Sequence, residues 1–172
     1  IVDGGQTMNP SIEDLVEAID GINAKNIFVF PNNSNVILAA QQAAELSKHK
    51  VFVIPTKNVA MGVAGVIACP PAFPPDENAA TPTKAAERVK SGMITKAIRD
   101  TKFEELDIHE GDVIGLYNGK ISVCADNEHD VATDLMKMLV TDDDSLITLY
   151  YGEGADKDEA QLLVDEFSSE YD

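Results

Sequence analysis

Ile12, Leu15, Val16, Ile19 and Ile22 recur at three- and four-residue intervals near the start of the chain, a spacing that predicts an amphipathic helix. Ser11, after Asn9-Pro10, is placed to cap it, and Glu13 and Asp14 fall in the first turn, where the positive end of the helix dipole favours them. The pattern then changes. Ile27 to Phe30 is an unbroken apolar run, which predicts a strand buried on both faces. Val36–Leu46 reads as a helix and Val51–Ile54 as a second buried strand. Val59–Ala68 is small and apolar throughout. With Gly62 and Gly65 permitting close packing, it predicts a buried helix despite a glycine cost of about 1 kcal/mol each.

Five of the eight prolines fall between Pro70 and Pro82, a stretch without periodicity that reads as a linker. Beyond it, Thr83–Met93 predicts a polar-faced helix and Met93–Thr101 the start of an extended segment. Asn118-Gly119 lies between GLY and KISV, and both residues tolerate the positive φ of a type I′ turn, so a hairpin is expected there. Asp126–Leu139 predicts a helix with Val131, Leu135, Met138 and Leu139 inward, Ser145–Tyr151 a strand, and Asp158–Tyr171 a last helix with Leu162, Leu163 and Phe167 on its apolar face. The fold class implied is α/β: two small subdomains, residues 1–75 and 76–172, with mainly parallel sheets covered by helices and a β-hairpin in the second. The opening GGQTMNPS reads as a loop leading into a helix within a longer protein, and a final strand is expected after the last helix.

Charge separates the two halves. Residues 1–80 carry 8 acids against 4 bases and residues 81–172 carry 22 against 9, so the nets are −4 and −13. Such a surface repels nucleic acid and anionic membrane and steers a basic protein partner. The longest apolar stretch, Val59 to Cys69, is about half of the roughly 20 residues a membrane span requires, so no span is expected and the cytoplasm is the expected location. Cys69 and Cys124 have no neighbouring Cys or His at ligand spacing and are expected as buried free thiols.

Three polar loops precede helices in the first half: Gly4, Gly5, Gln6, Thr7, Asn9 and Ser11; Asn32, Asn33 and Asn35; and Thr56 with Lys57. Loops of this kind converge at the carboxyl ends of strands in doubly wound sheets, where ligands collect. They are therefore the candidate small-molecule site, for a lipid or a phosphate. The same residue types are those that caps and turns demand, and no GxGxxG or GxxxxGK[ST] motif is present. His49, His109 and His129 have no nucleophile and orienting group beside them in sequence, so no catalytic residue is assigned. The acids Asp142, Asp143, Asp144, Glu153, Asp156, Asp158 and Glu159 lack the order of a calcium loop and no metal site is assigned; together they are candidates for a negative docking face.

The segments DGGQTMNPSIEDLVEAI, IFVFPNNSNVILAAQQAA, VFVIPTKNVAMGVAGVIA, KSGMITKAIRDT, EGDVIGLYNGKI and YYGEGADKDEAQLL, in this order, resemble the C-terminal region of the kinase subunit of bacterial fatty acid kinase, a dihydroxyacetone-kinase-like family. The resemblance implies a non-catalytic domain of two DegV-like subdomains. It docks a DegV-like fatty-acid-binding protein against an acidic groove, while ATP and magnesium are held on an N-terminal domain of the parent protein and a middle domain carries catalytic residues. No cofactor is expected in this chain, and its partners would be that fatty-acid-binding protein and the parent's own kinase and middle domains.

Overall fold

A computed structural model of the chain describes residues 1–2, 9–69, 79–103, 106–152 and 155–171. The chain divides into two compact units, Ile1–Val89 and Lys90–Asp172.

In the first unit, helix α1 (Ile12–Asp20) starts on the predicted cap. The Ser11 hydroxyl accepts the Asp14 N–H at 3.1 Å while the Asp14 carboxylate accepts the Ser11 N–H at 2.9 Å, a reciprocal capping box. Strand β1 (Asn26–Val29), helix α2 (Ile37–Leu46) and strand β2 (Lys50–Val53) follow. The strands are parallel with Ile27 opposite Val51 and Phe28 opposite Phe52, whose rings stack at 5.2 Å. Leu15, Ile19, Ile27, Val36, Ala40 and Ala43 form the core between α1, α2 and the strand pair. The strands are less enclosed than their sequence implies: Ile27 is the one fully buried position in β1, and β2 is at most half-buried.

Helix α3 (Val59–Ile67) is capped by the Asn58 side chain, which accepts the Met61 N–H at 2.9 Å. It is not buried all round, as its composition suggests. Gly62 and Gly65 form its inner face, while Val59, Val63, Val66 and Ile67 are exposed. A Cβ on Gly65 would lie 2.8 Å from the Phe30 ring and 3.4 Å from the Pro82 carbonyl, so the glycine is what lets α3 approach both. Pro82 belongs to helix α4 (Ala80–Glu87), where it sits in the first turn and forfeits no intrahelical bond. The helix expected from Thr83 therefore begins at Ala80 and packs within the first unit, and the division between units falls at 89/90, not at 75/76. Most of the expected linker, residues 70–78, lies outside the described residues.

In the second unit, β3 (Gly92–Lys96), β6 (Val113–Tyr117) and β7 (Lys120–Ala125) make an antiparallel sheet in the order β3-β6-β7, and β4 (Thr101–Phe103) pairs antiparallel with β5 (Leu106–Ile108). Among the described residues, parallel pairing is thus confined to the first unit. The α/β class holds, but the second sheet grows from hairpin connections, and the short Ala97–Asp100 and Asp112 links leave no room for crossovers. The predicted Asn118-Gly119 turn is present, with φ of +48° and +83°, and joins β6 to β7.

Helix α5 (Glu128–Leu139), capped by Asn127, covers one sheet face through Val131 and Leu135 against Val113 and Val123. Ala132 and Met136 turn toward helix α6 (Lys157–Glu170) and meet Phe167. Met138, expected inward, is exposed, because the inward stripe runs through Met136 instead. Ile108, Ile114 and Ala97 form the core on the other face. Residues 145–151, expected as a strand, carry no strand pairing among the described residues.

Candidate functional site

The parallel pair ends in the two loops that hold the polar candidates. Ile54, at the end of β2, donates its N–H to the Val29 carbonyl at 2.9 Å, which brings Thr56 beside Asn32. The Thr56 hydroxyl accepts the Asn32 N–H at 3.0 Å and donates to Asn32 Oδ1 at 2.9 Å, and the residue is fully buried. Asn32 holds a φ of +56°, a left-handed conformation that Asn tolerates better than most residues. Its side chain packs on α3 where Gly62 leaves room; a Cβ there would stand 2.1 Å from Asn32 Oδ1. Asn33 accepts the Asn35 N–H at 2.9 Å and donates its Nδ2 to Asn9 Oδ1 at 3.3 Å.

Asn9, Asn32, Asn33 and Thr56 are therefore brought together, and their polar atoms satisfy one another. Ser11 is committed to its capping box, Asn35 donates its N–H to Asn33, and Lys57 is exposed at the rim. Gly4, Gly5, Gln6 and Thr7 lie outside the described residues.

The acidic candidates sort into two kinds. Asp144 accepts from Thr141 N–H at 2.9 Å and from the Thr141 hydroxyl at 2.8 Å, and it pairs with Lys90 Nζ at 2.5 Å. These donors hold its carboxyl down at about 2. Asp156 caps α6 by accepting the N–H groups of Asp158 at 2.7 Å and Glu159 at 3.2 Å. Both carboxylates are structural. Asp142, Asp143, Asp158 and Glu159 are exposed, and their carboxylates enter no ion pair among the described residues. Glu153 lies outside those residues.

More acids line the outer sides of the two helices. Glu128, Asp130 and Asp134 are exposed on α5, and Asp165, Glu166 and Glu170 on α6. Of the bases nearby, Lys137 is engaged by Asp134 at 2.9 Å. His129 Nε2 lies 2.7 Å from Glu166 Oε2, so this histidine fastens α6 to α5 and its pKa is raised, first by the Glu166 hydrogen bond and charge, then by Asp130. The acids of α5 belong to no motif that marks them in the sequence; their helical spacing is the one signal that could have placed them on a solvent face.

Among the described residues no three of His, Cys, Asp and Glu come together as a metal site, and no helix is long and apolar enough to cross a membrane. Cys69 and Cys124 are free and half-buried, not fully buried, and burial pushes both thiols up.

A paired nucleophile and base is not part of this surface; what the described residues present is an acid-rich face and a self-satisfied loop cluster. The family model for the C-terminal region of FakA-like fatty acid kinase proteins matches residues 1–172. The chain belongs to the FakA-like C-terminal family of fatty acid kinase. Among its relatives, protein YloV of Bacillus subtilis is 41% identical over 172 residues, covering 100% of this chain and 31% of that protein. Uncharacterized protein SH1689 of Staphylococcus haemolyticus is 38% identical over 171 residues, and uncharacterized protein SAR1202 of Staphylococcus aureus 32% over 171, each covering 99% of this chain and 31% of the relative. The chain thus spans about a third of the length of the curated relatives it matches. For a member of the FakA-like family, that sets this acidic C-terminal surface within a kinase-subunit context.

Proposed function

We propose that this chain is a non-catalytic docking domain that binds a DegV-like fatty-acid-binding protein through its acidic surface, so that a kinase domain elsewhere in the polypeptide can phosphorylate the bound fatty acid in the cytoplasm. The observation that carries the reading is the set of unengaged carboxylates at Asp142, Asp143, Asp158 and Glu159, backed by the acids on α5 and α6. A net of −13 over residues 81–172 steers a basic partner and sets its choice more than its affinity. ATP and magnesium belong to another domain of the parent protein in this reading. Titration of the fatty-acid-binding protein against the chain at rising ionic strength tests it: binding weakens steadily as salt screens the surface, and undetectable or salt-indifferent binding rejects it.

A second reading is supported by the convergence of Asn9, Asn32, Asn33 and Thr56 at the carboxyl ends of β1 and β2. There the loops serve as a lipid or phosphate site, and a thermal midpoint raised by fatty acid, acyl phosphate or inorganic phosphate is the result it requires.

A further inference from the structure

Residues 145–151, SLITLYY, are uncharged and rich in β-branched and aromatic side chains, with neither Gly nor Pro. Yet Leu146 is 82% exposed and Tyr150 and Tyr151 about half. Among the described residues no strand pairs with them.

The neighbouring architecture has room for them. The Lys90 ammonium, two residues before β3, donates to the Leu139 carbonyl at 3.2 Å and to the Thr141 hydroxyl at 2.9 Å, so the chain enters 145–151 close to the start of β3. Strand β3 is an edge, paired with β6 alone among the described residues. Since β3 and β7 are both antiparallel to β6, they run parallel to each other. The β7–α5–145 connection is thus a crossover that lays 145–151 parallel to β3, beyond its open edge. Helices α5 and α6 both pack toward Ile94 of β3. Two adjacent helices need a width of about 20 Å, whereas three strands supply about 14 Å. Helix α6 accordingly leaves Leu162 and Val164 exposed.

We infer that residues 145–151 are a fourth strand of this sheet, and that the segment of the longer polypeptide following α6 adds as a fifth, parallel beside it. Helix α6 is then the crossover between the two, as the strand–helix–strand rule requires. The relatives supply the length, since this chain covers 31% of them. A second copy of the chain is a poor occupant: Asp142 and Asp143 precede the strand and Asp156, Asp158 and Glu159 follow it, so two copies would oppose like charges.

Hydrogen exchange on the parent polypeptide and on the 172-residue chain tests this, with the β6 amides of Ile114 and Leu116 as the control for folding. The amides of Leu146 to Tyr151 exchange at least tenfold more slowly in the parent, and deletion of everything after Tyr171 from the parent abolishes that protection while β6 stays protected. Equal, fast exchange in both overturns the inference. So does protection that survives the deletion, that appears in the 172-residue chain only at high concentration, or that requires added fatty-acid-binding protein.

Discussion

Thr56 and Asn32 satisfy each other across the ends of two parallel strands, the threonine hydroxyl accepting the asparagine N–H at 3.0 Å and donating to its side-chain oxygen at 2.9 Å. Because Thr56 is fully buried, Thr56→Val leaves two polar groups of Asn32 without their partner and destabilises the first unit by about 1–3 kcal/mol. Thr56→Ser keeps the hydroxyl and costs about 1 kcal/mol for the lost methyl. Urea denaturation of the two variants separates the hydrogen bonds from the packing.

Gly62→Ala is a related test with competing terms. Alanine improves helix propensity by about 1 kcal/mol. Its Cβ, however, would stand 2.1 Å from Asn32 Oδ1, and Asn32 is held by Thr56 and cannot swing away freely. Overpacking of this kind costs roughly 1–3 kcal/mol, so the net effect is destabilising. In the Asn32→Gly background the clash is gone, and Gly62→Ala becomes neutral or stabilising in the same denaturation measurement.

These two contacts mark where the sequence is legible and where it is not. The Ser11 cap, the Asn118-Gly119 turn and the apolar stripe of α1 are local signals, each decided within a few residues, and each appears as read. Pairing direction is not local. The apolar runs from Val113 and from Ile121 are compatible with parallel or antiparallel neighbours, and the two-residue turn between them decides for antiparallel. Uniform hydrophobicity misleads at α3, where the glycines face inward and the valines outward. Residue type alone makes Asn32 and Thr56 ligand candidates; only the 24-residue separation closed by folding reveals that they bond each other. The acids of residues 142–159 look equivalent in sequence, and hydrogen bonding divides them.

That division gives Asp144 its own pH signature. Lys90 and Thr141 lower its carboxyl from 3.8 to about 2. The stabilisation is fully present above about pH 4, and it is lost as pH falls through about 2. Carboxyl NMR of Asp144 should follow a titration near 2 in the native protein, and Lys90→Met should move it upward. An unchanged midpoint in Lys90→Met would show that Thr141 alone sets it.

His129 carries the opposite sign. Its pKa is raised by Glu166, reinforced by Asp130, so its contribution to holding α6 on α5 is fully present below the unfolded value near 6.5 and is lost as pH rises through the higher folded value. The α6 amides, Phe167 included, are expected to exchange faster above that pH. Glu166→Gln removes most of the shift and flattens this dependence, whereas Asp130→Asn alters it less, since its contribution ranks below that of Glu166.

Charge substitutions separate docking from folding. Asp142→Lys with Asp143→Lys reverses two exposed carboxylates that hold no other group among the described residues, so the thermal midpoint changes little while association with the fatty-acid-binding protein slows by roughly tenfold at low salt. Asp144→Asn behaves differently. It weakens the Lys90 and Thr141 contacts that fix the turn after α5, so it lowers the midpoint while removing only one charge from the surface. Association rates measured beside melting curves for the two variants distinguish the carboxylates: a slowed rate with an unchanged melt assigns Asp142 and Asp143 to the docking face, and an unchanged rate removes them from it.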